Sequence, residues 1–273
     1  MLGFFDHPAV HGGVAPLVVA LLVAAALART RFSWLAIIPA YATMVALDTG
    51  FSLFPPTVAR KTVLVGLLAP LVGILADLFP RASRAIATAL VVATGLLSIW
   101  VFMTVLQNRE GPSAIVAGAG VVTFVVAMIA AMLRLRDDGP RTGATGLGLG
   151  LAVGIAGVLS ASIGALMAGA AIAAACGAML IVQVAFSRAL APGFTGALPV
   201  GLLCALIAAG TLLLAELPWY ALPLLLLIPA ATSLPAPTAD RLIARTAALS
   251  GYALVAAIIP VGAAWYAARG ALF

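Results

Sequence analysis

Residues 143–186 read GATGLGLGLAVGIAGVLSASIGALMAGAAIAAACGAMLIVQVAF, 44 residues without a single charge. A helix crossing the hydrocarbon core of a bilayer needs about 20 mostly apolar residues, so this stretch holds two crossings. Its only polar cluster, Ser160-Ala161-Ser162, marks the turn between them. Small residues dominate on both sides of that turn. Gly146, Gly150 and Gly154 recur every fourth position, a spacing that puts them on one helix face and lets two backbones meet.

The rest of the chain has the same character. Of 273 residues, 64% are hydrophobic, only 8% are charged, and the mean hydropathy is +1.24. A soluble domain carries about 25% charged residues, and a chain of this length cannot hide so much apolar surface from water. Its solvent is therefore lipid. That excludes a soluble enzyme, a disordered chain, a disulfide scaffold and a coiled coil. The apolar runs are continuous rather than alternating, which selects helices over barrel strands.

Ten stretches qualify, at 13–28, 32–54, 62–79, 85–106, 113–133, 144–161, 164–186, 196–215, 219–234 and 243–267. The expected fold is an all-α polytopic bundle of about ten transmembrane helices in a single membrane domain, with no room for a soluble one. Basic residues of short loops stay on the cytoplasmic side. With the N-terminus outside, ten basic residues fall inside and four fall outside, Arg60, Lys61, Arg109 and Arg269. The apolar run near the N-terminus precedes Arg29 and Arg31 instead of following a basic segment, which suits an anchor better than a removed signal. The thirteen arginines against one lysine suggest a GC-rich genome and hence a bacterial inner membrane.

Ten spans divide into halves of five, 1–136 and 137–273. The odd number turns the second half upside down, as an inverted repeat requires. The two halves share no convincing internal sequence similarity. The count resembles that of drug/metabolite-type exporters in helix number alone, and an outside N-terminus departs from that arrangement, so no residue role follows from it. Pro39, Pro70, Pro229 and Pro260 fall inside spans and each removes a backbone donor.

A charge inside a span costs about 2.5–3.5 kcal/mol on insertion scales, which makes it a functional hypothesis. Asp48, six residues from the outer end of the second span, is the deep candidate. Tyr41, Asp48 and Ser52 share a helix face and form the expected site for substrate or a coupling ion. A plain ion pair of Asp48 with Arg60 or Lys61 is the competing reading. Asp77, with Arg81 four residues on, suits either a helix-surface pair or an interfacial carboxylate. Arg60, Lys61, Glu216 and Trp219 form an outer rim suited to partner contact, with Trp219 and Tyr220 in the interfacial aromatic belt.

His7 and His11 share a face and, with Asp6, could supply half a metal site, but further ligands are missing and Gly12-Gly13 reads as flexible. Cys176 and Cys204 read as small apolar core residues. No G-x-x-x-x-G-K-[ST], H-E-x-x-H, G-x-S-x-G or C-x-x-C motif is present, so neither catalytic residues nor a cofactor or metal is expected. The net charge of +6 is dispersed at helix ends, which suits topology and anionic headgroups rather than nucleic acid. Two functions follow as expectations. One is a permease moving a small or largely apolar solute, coupled to a cation or proton at Asp48. The other is a non-catalytic membrane subunit, partnered by other membrane proteins or by its own copies.

Overall fold

A computed structural model describes residues 7, 9–30, 32–48, 50, 54, 56–109, 111–215, 217–236 and 242–270. Among these the chain is helical with no strand, and it forms ten helical segments that fall on the ten predicted stretches. They are α1 (10–27), α2 (33–48), α3 (Val58–Asp77), α4 (80–107), α5 (Gly111–Arg134), α6 (Gly139–Leu159), α7 (Ile163–Ala185), α8 (Gly193–Leu214), α9 (221–232) and α10 (Leu242–Gly270). Eight of them are long and apolar enough to cross a membrane.

The other two are α2 and α9, and here the structure departs from the expectation of ten full spans. At about 1.5 Å per residue, α2 measures roughly 24 Å and α9 roughly 18 Å, against a hydrocarbon core of about 30 Å. Sequence chemistry explains both. Gly50, at φ +67°, turns the chain into the left-handed region and donates its N–H to the Val45 carbonyl at 2.9 Å, which ends α2 at Asp48 instead of 54. Helix α9 is interrupted between Leu224 and Leu227 and carries Pro223 and Pro229.

The uncharged 143–186 stretch divides at its polar cluster, as its length requires. Ala161 takes φ +58°, Ser162 N–H reaches the Gly157 carbonyl at 2.7 Å, and the Ser162 hydroxyl then caps α7 by accepting from Ala165 N–H. The helices it joins meet backbone to backbone. A Cβ on Gly150 would lie 2.6 Å from the Gly169 carbonyl oxygen, and one on Gly169 would lie 2.7 Å from Gly154 N. Glycine is needed here for close approach.

Helices α6, α7 and α8 form the centre, with 72%, 72% and 83% of their span residues buried, whereas α1, α4, α5 and α10 are buried over a third or less. The outer helices present side chains such as Leu22, Ile115, Val116 and Ile258 outward. Helix α1 lies along α7 through Ala20 and Ala24, both fully buried, and Gly12 in its opening π-helical turn sits against the Met167 backbone. The Gly12-Gly13 segment, expected to be flexible, is thus helical and packed. Helix α3 lies along α8, where Gly66 meets Leu203 and Gly73 meets the backbone of Thr195.

Cross-links join helix ends at two opposite poles. One pole joins Trp34 to Leu190, Asp77 to Thr195, Arg136 to Ser83, and Arg141 to Thr232. The other joins Lys61 to Trp100 and Arg109 to Leu213. Successive helices therefore run antiparallel.

Candidate functional site

Antiparallel alternation brings the end of α2, the start of α3, the start of α7 and the end of α8 to the same pole. These four ends enclose a vestibule of about 420 Å³. Its lining includes two expected site residues, Tyr41 and Asp48. Arg60, in the first turn of α3, lines the opposite wall. Met44, Val45 and Leu206 give it apolar sides.

Asp48 is the last residue of α2 and is exposed at the mouth, not sunk six residues inside a span. This corrects the expected depth, and the stop at Gly50 is the cause. Tyr41 lies two helical turns below. It is 3% exposed, its ring touches Gly66 of α3, and its hydroxyl has no hydrogen-bond partner among the described residues. Ser52 lies outside the described residues.

The vestibule also receives the N-termini of α3 and α7. Thr57 caps the first by accepting from Arg60 N–H, and Ser162 caps the second. Helix N-termini carry partial positive charge, so with Arg60 they offset the Asp48 carboxylate across the cavity. The site can thus offer both an acceptor and donors to a small amphipathic molecule. Hydroxyls that could compete are tied to their own backbones: Thr62 donates to the Val58 carbonyl and Thr211 to the Ala208 carbonyl.

The expected rim does not act as one surface. Lys61 leaves the vestibule for α4, donating to the Trp100 carbonyl at 3.1 Å and lying 4.9 Å from its ring centroid. Trp219 is 75% exposed and meets Tyr220 edge-on at 6.0 Å. Glu216 lies outside the described residues. His7 accepts from Ala9 N–H through Nδ1, a local cap, and no group of three His, Cys, Asp or Glu converges among the described residues.

The other pole is closed by polar side chains that sequence reasoning left out or placed elsewhere. Asp77 does not pair with Arg81. Its carboxylate accepts from Phe194 N–H and Thr195 N–H, both at 2.9 Å, and from the Thr195 hydroxyl at 2.6 Å, so α3 caps the start of α8. Gly193, at φ +60°, leaves room for that carboxylate. Arg136 lies over the Phe194 ring and donates to Ser83. The Trp34 indole N–H donates to the Leu190 carbonyl, while buried Gln183 accepts from Leu190 N–H and donates to Met179. Asp138 caps α6 and binds both Arg141 and Arg245. An aspartate just before a helix was a legible cap signal at Asp138. Nothing in the sequence paired Asp77 with a helix 117 residues away.

A polytopic bundle of apolar helices with a vestibule at one pole defines a multi-pass helical membrane protein. No family model, curated protein or solved structure matches the chain.

Proposed function

We propose that this protein is a permease of a bacterial inner membrane, with the vestibule pole outside, and that it moves a small, largely apolar solute bearing a polar head. In this reading all ten helices traverse the bilayer, α2 and α9 as short or broken crossings, with the N-terminus outside. The observation that carries it is the 420 Å³ cavity walled by both halves, α2 and α3 from the first and α7 and α8 from the second, with Tyr41 at its floor and Asp48 at its mouth. Transporters place substrate at such interfaces.

The opposite pole supports an alternating-access reading. Asp77, Arg136 and Trp34 bind residues of the 190–195 segment there, so cross-links between the halves are denser at the pole away from the vestibule, where Arg109–Leu213 is the one described at the vestibule pole. The packing does not support a strict inverted repeat: α6 lies along α10, whereas α1 makes no comparable contact with α5. The second function, a non-catalytic subunit, calls for a solid bundle, and the vestibule weighs against it.

The test is proton flux in vesicles. Purified protein is reconstituted with a trapped pH dye, and a panel of small amphipathic cations and zwitterions is added outside. Wild type is expected to move protons on addition of at least one compound, and Asp48→Asn to lose that response while inserting normally. Equal responses in both proteins would remove Asp48 from coupling, and silence across the panel together with a vestibule closed to water-soluble reagents would remove the permease.

A further inference from the structure

A second and larger cavity lies on the outside of the bundle. It is a groove of about 880 Å³ between α5 and the α8–α9 corner, and it shares no lining residue with the vestibule. One face of α5 forms its length, through Val116, Gly120, Thr123 and Ala127, residues spaced three and four apart. Leu222 and Leu226 of α9 form the facing wall. The floor is small and smooth: a Cβ on Gly120 would meet nothing within 4 Å.

Charge in the groove is confined to one end among its described lining residues. Among its described lining residues, Arg109 is the single charged side chain, and it stands at the mouth where α4 turns into α5. Its Nη2 donates to the Leu213 carbonyl at 3.2 Å, the one hydrogen bond its guanidinium makes among the described residues. A guanidinium has five N–H donors and prefers phosphate geometry. Trp219 stands exposed at the same mouth, the kind of side chain that settles at headgroup level.

Charge at the mouth decides the occupant. From Pro112 to Ala127 the α5 wall runs roughly 22 Å at about 1.5 Å per residue. An extended acyl chain laid from the mouth follows this wall, with the cation where its phosphate would lie. We propose that this groove binds a phospholipid with an anionic headgroup, its phosphate held by Arg109 beside Trp219 and its acyl chain laid along the Val116–Gly120–Ala127 face. The inference is independent of transport.

The test is native mass spectrometry of the full-length protein in detergent, titrated separately with phosphatidylglycerol and phosphatidylcholine of identical chains. Wild type is expected to retain one phosphatidylglycerol about fivefold more tightly than phosphatidylcholine, the equivalent of about 1 kcal/mol for one basic side chain near the headgroups. Arg109→Gln should erase the preference and keep the weaker binding of both. Gly120→Phe, which fills the groove, should abolish retention of both. If Gly120→Phe disturbs folding, Gly120→Cys replaces it, and phosphatidylglycerol should slow its alkylation by a maleimide more than phosphatidylcholine does. Equal retention of the two lipids by wild type, or unchanged retention in the filled groove, would overturn the proposal. So would a stoichiometric protein partner that shields Gly120→Cys in native membranes.

Discussion

Asp77 carries one of the most specific polar contacts in the molecule, because a single carboxylate satisfies two backbone donors and a hydroxyl of α8. Hydrogen bonds to a charged group are worth about 1.5–3 kcal/mol each, and leaving a donor unmet costs more than the bond returned. Asp77→Asn keeps the shape but replaces one accepting oxygen with an NH₂ that opposes a donor. It is expected to destabilise the protein by about 2 kcal/mol, read as a fall in the thermal midpoint in detergent. Lys61 is a milder case. Its ammonium over Trp100 at a partly exposed site is worth about 0.5–1 kcal/mol, so Lys61→Met is expected to shift the same midpoint only slightly. At this scale helical periodicity placed Tyr41 and Asp48 on one face, and both line the vestibule, since that periodicity is local. It could not pair Asp77 with Thr195, because that contact depends on how α3 and α8 pack.

Individual helices obey rules that short stretches of sequence carry. Caps, glycine stops and prolines place most boundaries: Asp138 and Ser162 start α6 and α7, and Gly50 stops α2. The α6–α7 turn contains an unusual choice, an alanine at φ +58° where glycine is at ease. A non-glycine residue there is strained by about 1 kcal/mol or more. Ala161→Gly is therefore expected to raise the thermal midpoint despite the entropy it adds to the unfolded chain. Gly150→Leu should do the opposite and prevent stable assembly, since its first carbon already overlaps α7. Gly120→Leu, an equal change at an open position, is the matched control and is expected to leave stability intact. The sequence marks Gly150 by its four-residue repeat with Gly146 and Gly154, and Gly120 has no such repeat. The neighbour each one faces sets the size of the difference.

The whole molecule is a chain of alternating helices, so under the proposed topology its two poles face opposite sides of the bilayer. Asn108→Cys and Arg188→Cys sit at exposed helix ends of opposite poles. In intact cells a membrane-impermeant maleimide is expected to label the first and spare the second. Native Cys176 and Cys204 are buried and supply a low background. Met44→Cys, in the vestibule wall, should label from the same side as Asn108→Cys, which checks that the cavity is wet.

By itself the sequence determined the solvent, the helical class and the rough position of every helical segment. All of these follow from composition and runs of neighbouring residues, which lipid reads directly as hydropathy. Tertiary structure alone decided that α2 ends at Asp48 and puts the carboxylate at a mouth instead of a depth. It also decided that Lys61 turns away to Trp100, that Asp77 locks onto α8, and that one outer face is hollowed into a groove with a cation at its end. Each of these depends on which helices lie side by side. In an uncharged, small-residue bundle many pairings are close in energy, and no local pattern names the partner.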